Sequence, residues 1–172
     1  ISVVLDGEYI LSDNPSIPLK RGAYTLSAEE GGTIRFKGDG VDTVVGTSLT
    51  FKRQAYSSTG NNHFTIKGTD YGTLNYLGDM VFTISAGNLM VVNHVPLEEY
   101  LYGVVAYEMS NSFPLEALKA QAVCARGYAI RTISTSGTYD IGDTISHQVY
   151  KGYNPSYKRV FQAVDETKGQ VL

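Results

Sequence analysis

The pattern of the sequence changes within Val91-Val92-Asn93-His94-Val95-Pro96-Leu97-Glu98-Glu99-Tyr100-Leu101. Before Pro96 the chain is glycine-rich and β-branched, and its apolar residues recur with the short period of strands. After Pro96, apolar residues recur at helical spacing, and a proline followed by two acids is typical of the first turn of a helix. We therefore divide the 172-residue chain into a β-rich unit, residues 1–95, and a helical part, residues 96–172.

Short runs of strand-forming residues fill the β-rich unit, and turn-forming pairs such as Gly31-Gly32 and Gly87-Asn88 separate them, as does Gly60-Asn61-Asn62. Many short strands at this spacing predict an antiparallel sandwich or a barrel-like unit. The predicted strands are Ser2–Leu5, Glu8–Leu11, Gly22–Ser27, Thr33–Lys37, Val41–Val45, Leu49–Arg53, His63–Ile66, Gly72–Tyr76, Met80–Ser85 and Leu89–Val95.

Three helices are predicted in the second part. One begins at Pro96, the longest runs from Pro114 to about Ser134, and the third opens at Asn154-Pro155-Ser156 and reaches about Lys168. A short strand is expected at Gln148–Tyr150. The final residues, Gln170-Val171-Leu172, are expected to begin a further strand, so the chain reads as cut short there. The fold class is α+β, an antiparallel β-rich unit packed on a mainly helical catalytic core that shares one cleft with it.

Apolar or small residues cover most faces of the longest helix, which predicts that it is mostly buried. Buried polar side chains need partners, so Gln121 and Arg126 should find them nearby. Cys124 is interpreted as a small packed hydrophobic residue rather than a nucleophile.

The composition excludes several classes of protein. Lysine and arginine number 14 against 17 acidic residues, a net charge of −3 without a basic run, so nucleic acid is not an expected partner. One cysteine rules out an internal disulfide framework. No apolar run approaches the roughly 18 residues of a membrane span, and any anchor is expected in a segment outside this sequence.

Glu108 is the carboxylate that helix electrostatics do not explain. It ends an apolar helical run, where the helix dipole disfavours an acid. Its neighbours Tyr107, Met109 and Phe113 are expected to desolvate the carboxylate and raise its pKa, which suits a general acid. The alternative is a buried ion pair of Glu108 with Arg126 or Lys119, which would lower that pKa and hold the loop.

Two blocks of sequence surround Glu108. They are Val95-Pro96-Leu97-Glu98-Glu99-Tyr100-Leu101-Tyr102-Gly103-Val104-Val105 through Glu108-Met109, and Phe113-Pro114-Leu115-Glu116-Ala117-Leu118-Lys119-Ala120-Gln121-Ala122-Val123-Cys124-Ala125-Arg126-Gly127-Tyr128-Ala129. Both blocks resemble the stage II sporulation protein D family. Gln148-Val149-Tyr150-Lys151-Gly152 and Thr167-Lys168-Gly169 also fit, so the resemblance covers about Leu89 to Leu172.

The resemblance implies a peptidoglycan lytic transglycosylase that acts when the mother cell engulfs the forespore. Glu108 matches the family's catalytic glutamate, the substrate is glycan stripped of stem peptides, and the sugar's own 6-hydroxyl replaces water. The same family includes amidase enhancers, which stimulate a partner amidase. A non-enzymatic enhancer and a wall-binding module, with Glu108 as an ion-pair member, are therefore the alternatives.

The resemblance also implies the remaining site residues. Gln121, Arg126 and Tyr128 match the family's helix motif and are candidates for substrate binding, with a scaffold role as the alternative. Some members hold zinc through cysteines that this chain lacks, so no cofactor is expected and His147 is the one remaining candidate zinc ligand. Expected partners are peptidoglycan glycan strands and a cell-wall amidase or other wall-remodelling protein, on the cell-wall side of the membrane.

Overall fold

A computed structural model describes residues 1–54, 62–69, 72–134 and 136–172. Within these ranges the chain forms two compact units, Ile1–Val95 and Pro96–Leu172. Gly60 and Asn61, which belong to one predicted turn, lie outside the described residues. The cleft that the sequence predicts between the two units stays a prediction.

The first unit contains two sheets in which all described neighbours are antiparallel. The described strands are Ser2–Asp6 (β1), Tyr9–Leu11 (β2), Gly22–Glu29 (β3), Thr33–Gly38 (β4), Val41–Val45 (β5), Ser48–Arg53 (β6), His63–Thr69 (β7), Gly72–Tyr76 (β8), Asp79–Ser85 (β9) and Asn88–His94 (β10). One sheet has the order β5-β4-β3-β1-β7-β8 and the other the order β10-β9-β6-β2. Every strand predicted in this unit is present, and the α+β class is confirmed.

Aromatic side chains from both sheets fill the core of this unit. The ring of Phe51 on β6 lies 5.8 Å from that of Phe36 on β4 and 5.1 Å from that of Phe64 on β7. The ring centroid of Phe82 on β9 lies 5.7 Å from that of Phe51. All four of these side chains are fully buried. Because β6 and β9 belong to a different sheet from β4 and β7, the two sheets pack face to face as a sandwich.

The second unit contains three helices among its described residues: Leu97–Glu108 (α1), Leu115–Thr132 (α2) and Lys158–Glu166 (α3). Pro96 and Pro114 precede the first two as N-cap residues with extended ψ angles of 141° and 143°. The third helix begins later than predicted because Asn154 forms a turn instead, accepting the Ser156 N–H on its side chain at 3.0 Å. No helix in the described ranges is long and apolar enough to cross a lipid bilayer.

One face of α2 is buried rather than most of it. The buried positions are Leu118, Ala122, Ala125, Arg126 and Ala129. Few elements cover α2 in a small three-helix unit, so its remaining faces border solvent or a groove. The prediction of a mostly buried helix is therefore wrong.

Residues 148–152, the crossing segment, pass close to α1. Residues Gln148–Tyr150 form no strand, so that prediction is wrong. The segment packs on the helix at Gly103 instead, where an added Cβ would lie 2.5 Å from the Gly152 carbonyl oxygen and 2.5 Å from the Tyr150 ring. Only a residue without a side chain allows this approach.

Candidate active site

Glu108 is the last residue of α1, and its carboxylate is exposed. The backbone N–H of Val149 donates a hydrogen bond to Glu108 Oε1 at 3.0 Å. A carboxylate at a helix C-terminus faces unfavourable carbonyl dipoles, and an N–H donor offsets part of that repulsion. The crossing segment thus fixes the orientation of Glu108 while leaving the rest of the carboxylate accessible.

The apolar enclosure expected around Glu108 does not form. Phe113 is itself 44% exposed, and Glu108 is exposed to solvent rather than covered by the Phe113 ring. Neighbours in sequence turn to different sides of a helix end, so three apolar neighbours do not make a pocket. The expected desolvation is therefore wrong.

Neither expected ion pair of Glu108 forms. Arg126 instead pairs with Glu98, through Nε to Oε1 at 3.0 Å and Nη2 to Oε2 at 2.7 Å. Lys119 Nζ lies 2.8 Å from a Glu116 oxygen and 2.6 Å from a Glu166 oxygen. Both cations are thus engaged elsewhere, and the ion-pair interpretation of Glu108 is wrong.

Arg126 is buried in a scaffold. Its guanidinium is 1% exposed, and besides the two bonds to Glu98 it donates to the Gln170 carbonyl oxygen at 2.8 Å. The Ala122 and Val164 carbonyl oxygens lie at 3.5 and 3.4 Å. All five of its N–H donors therefore have protein acceptors. The geometry favours the scaffold role for Arg126 over substrate binding.

Gln148 ties the crossing segment to two helices. The Tyr100 hydroxyl of α1 donates to Gln148 Oε1 at 3.2 Å, and Gln148 Nε2 donates to the Ala125 carbonyl oxygen of α2 at 3.3 Å. Burial is the main reason that the pKa of Tyr100 lies above its ordinary value, and the nearby Tyr128 and Glu108 charges act in the same direction. Tyr100 is therefore a stable donor, and Gln148 holds the Val149 N–H beside Glu108.

A groove of about 440 Å³ opens beside Glu108 within the helical unit. Its wall along α2 carries side chains at successive helical turns on one face. The lining residues are Glu108, Gln121, Cys124, Ala125, Gly127, Tyr128, Arg131, His147, Gln148 and Leu172. Cys124 is exposed there, so its interpretation as a packed core residue is wrong.

The structure brings together most of the predicted site residues. Gln121, Tyr128 and His147 line the groove with Glu108, whereas Arg126 does not. Arg131 and Gln148 also line the groove, although neither is among the predicted site residues. Gln148 could have been found, because it begins the Gln148-Val149-Tyr150-Lys151-Gly152 block that fits the family. For Arg131 the sequence offers no signal other than its position about one helical turn after Tyr128.

The groove offers a metal ion too few ligands. Within the described ranges, no group of three or more His, Cys, Asp or Glu side chains could hold one. Zinc sites ordinarily need at least three protein ligands. The described residues around His147 therefore do not fit a zinc site.

The family comparison covers this groove. A family model described as "Stage II sporulation protein" matches residues 85–172, half of the chain. The chain belongs to this family. The sporulation-family resemblance carried by the blocks around Glu108 is thereby confirmed, and the match includes every residue that lines the groove.

Curated relatives extend the likeness in two ways. "Stage II sporulation protein D" of Bacillus subtilis is 37% identical over 98 residues, which covers 47% of this chain and 29% of that protein. "Amidase enhancer" of Bacillus subtilis is 35% identical over 169 residues, 98% of this chain and 21% of that protein. An uncharacterized protein of Brachyspira hyodysenteriae is 38% identical over 111 residues, 63% of this chain and 29% of that protein.

The chain thus spans between about a fifth and three tenths of the length of these relatives. No solved structure matches it.

Proposed function

We propose that this chain cleaves the glycan strands of peptidoglycan as a lytic transglycosylase, with Glu108 as both general acid and general base. The observation that carries the proposal is the placement of Glu108. Among the described residues that line the groove it is the sole acidic side chain, and it is exposed with one oxygen held by a backbone donor. Membership of the sporulation family supports the same assignment.

The hydrogen bond from Val149 indicates where the catalytic proton resides. In a protonated carboxyl group the carbonyl oxygen is the better acceptor, so Oε1 keeps the Val149 N–H. The proton then resides on Oε2. This oxygen is the one that can face a glycosidic oxygen in the groove.

The reaction consumes no water. Glu108 Oε2 gives its proton to the glycosidic oxygen as the bond from that oxygen to the anomeric carbon breaks. The 6-hydroxyl of the same sugar attacks the anomeric carbon, and its proton passes to the Glu108 carboxylate. The products are a 1,6-anhydro end and a free 4-hydroxyl, and Glu108 is again protonated.

A single carboxylate favours this route over hydrolysis. Most glycoside hydrolases place two carboxyl groups about the scissile bond, one of which activates water or attacks the sugar. An intramolecular hydroxyl makes the second group unnecessary, because the nucleophile is already held next to the anomeric carbon.

The test compares the parent with Glu108→Gln on soluble glycan strands that lack stem peptides. Mass spectrometry should find 1,6-anhydro ends from the parent, and Glu108→Gln should form them about 10²–10⁴-fold more slowly, the range for a lost general acid–base group. Glu116→Gln, an exposed carboxylate of α2 that does not line the groove, is the matched control and should match the parent. Products without anhydro ends, or equal rates for both glutamate variants, contradict the proposal.

Amidase enhancement is the second candidate function. The relative named "Amidase enhancer" aligns with 98% of this chain, through both units, whereas the sporulation protein D relative aligns with 47%. An enhancer would speed a purified cell-wall amidase acting on intact peptidoglycan, and Glu108→Gln would enhance it equally well. Stimulation that disappears with Glu108→Gln would instead assign the effect to glycan cleavage by this chain.

Either function places the chain at the cell wall. Its proposed partners are peptidoglycan glycan strands and a wall amidase or other wall-remodelling protein, and the proposed location is extracytoplasmic. Fractionation of cells that carry the full-length protein tests the location, with the expected signal on the outer side of the cytoplasmic membrane.

A further inference from the structure

Arg131 is the unpaired cation of the groove. It lies in the last turn of α2, is exposed and lines the groove with Glu108. In the part of the chain that the structure describes, Arg131 has no carboxylate partner. Arg126 and Lys119 on the same helix both have one.

Helix electrostatics explain only part of this placement. A basic residue in the last turn of a helix complements the carbonyl dipoles. That effect does not depend on which face of the helix carries the residue. Arg131 shares its face with Tyr128 and Cys124, three and seven positions earlier, and all three line the groove.

Small residues form the floor below this face. Ala125 and Gly127 contribute little or no side chain, and the atom nearest to a Cβ added at Gly127 would be the Leu172 backbone nitrogen, 3.9 Å away. From Cys124 to Arg131 the helix rises by about 10 Å, at about 1.5 Å per residue. A glycan strand that lies along α2 would thus pass the guanidinium of Arg131 while another of its sugars lies beside Glu108.

The expected glycan supplies an anion for this cation. Its N-acetylmuramic acid residues carry a lactyl group that ends in a carboxylate when no stem peptide is attached. A guanidinium forms paired, charge-assisted hydrogen bonds with a carboxylate. In chitin the lactyl group is absent, and in a strand with stem peptides an amide has replaced the carboxylate.

We propose that Arg131 binds the lactyl carboxylate of an N-acetylmuramic acid residue and so selects this glycan over uncharged relatives. The identity of the ligand rests on the proposed function, whereas the anion site itself rests on the groove. Arg131 is in this role a specificity-determining residue. Glu108 performs the chemistry.

Cys124 provides a way to test the proposal without turnover. It is the single cysteine of the chain, is exposed and lines the groove, so an occupied groove should slow its alkylation. The experiment uses Glu108→Gln protein to prevent cleavage. It compares a stem-peptide-free tetrasaccharide of alternating N-acetylglucosamine and N-acetylmuramic acid with chitotetraose.

The tetrasaccharide should protect Cys124 at a concentration at least about 10-fold lower than chitotetraose, as expected for a charge-assisted hydrogen bond. Adding Arg131→Gln should abolish the preference, and Arg131→Lys should keep part of it. Lys168→Gln, an exposed lysine outside the groove, is the matched control and should keep the full preference. Rates are compared with and without sugar within each variant, so a change in thiol reactivity cancels.

Two results overturn the proposal: equal protection by both sugars, or a preference that survives in Arg131→Gln. The cleavage assay separates this failure from failure of the proposed function. If Cys124 protection depends on Arg131 but the parent forms no anhydro products, the groove binds a carboxylate and the proposed enzymatic function fails. If the parent forms anhydro products but the preference for the tetrasaccharide does not depend on Arg131, the proposed cleavage stands and the proposed role of Arg131 fails.

Discussion

At the amino-terminal end of α1, Glu98 accepts two hydrogen bonds from Arg126 and lies 3.4 Å from the Gly169 N–H. At the carboxyl-terminal end, Glu108 accepts one backbone hydrogen bond, from Val149. The first carboxylate joins α1, α2 and the residues after α3. The second keeps most of its hydrogen-bonding capacity for a molecule outside the protein.

The position of a carboxylate along a helix decides whether it is available for chemistry. An acid in the first turn is stabilised by the helix dipole and, here, by a buried guanidinium. An acid in the last turn has neither advantage, so it persists at a stability disadvantage. Sites where local rules are broken in this way are expected to be functional.

The largest effect on stability should come from removing the guanidinium of Arg126, which pairs with Glu98 at the amino-terminal end of α1. Arg126→Gln leaves Glu98, whose side chain is 22% exposed, without its partner and removes donors from three carbonyl oxygens. Breaking a buried pair from one side ordinarily lowers the free energy of unfolding by about 3–5 kcal/mol. Urea unfolding followed by the far-ultraviolet circular dichroism of the helices measures it.

Arg131→Gln on the same helix is the matched control for that measurement. Arg131 is exposed and has no ion pair among the described residues, so its loss should change the free energy of unfolding by at most about 0.5 kcal/mol. Equal urea midpoints for the two arginine variants would show that the Glu98–Arg126 pair does not stabilise the unit.

The sequence predicted the β-rich unit better than the site. Period-two patterns and glycine turns are local, so every strand of that unit is predicted within a few residues. Glu108 is singled out by its unfavourable helix end, and its catalytic role stays a prediction. The partner of Arg126 was not predicted, because Glu98 is remote in sequence and dipole complementarity already explained it. The same limit applies to Cys124 and Gln148: the faces they occupy depend on what α2 and the crossing segment pack against.

A smaller effect on stability is expected from crowding the crossing segment, which holds the Val149 N–H beside Glu108. In Gly103→Ala the new Cβ would lie 2.5 Å from the Gly152 carbonyl oxygen, so the segment that holds Val149 must move. Overpacking of this kind typically lowers stability by about 1–3 kcal/mol. Cleavage should fall as well, because the Val149 N–H no longer reaches Glu108 at its present distance.

Gly127→Ala is the matched glycine replacement within α2. Its Cβ would meet nothing closer than 3.9 Å, so the higher helix propensity of alanine should raise the free energy of unfolding by up to about 1 kcal/mol. Opposite signs for the two replacements in urea unfolding support the close crossing at Gly103. A stabilised Gly103→Ala protein contradicts it.

The smallest effect should appear only in alkali, on the part of α1 between Glu98 and Glu108. Burial raises the pKa of both Tyr100 and Tyr102 above the ordinary 10.0, and the 2.6 Å hydrogen bond that Tyr102 donates to Asp165 raises the second further. The folded protein therefore holds these phenolic protons more tightly than the unfolded chain does. The stability they contribute is complete below pH 10 and decreases as the pH rises above it.

The urea midpoint of the helical unit should accordingly fall more steeply above pH 10 in the parent than in the double variant Tyr100→Phe/Tyr102→Phe. Tyr139→Phe, which replaces an exposed tyrosine, should keep the slope of the parent. Identical slopes in all three proteins would mean that Tyr100 and Tyr102 ionise as they do in the unfolded chain. The Tyr100 hydroxyl would then not be a steady donor to Gln148, and the Val149 N–H would be positioned by the Gln148–Ala125 hydrogen bond and the contact at Gly103.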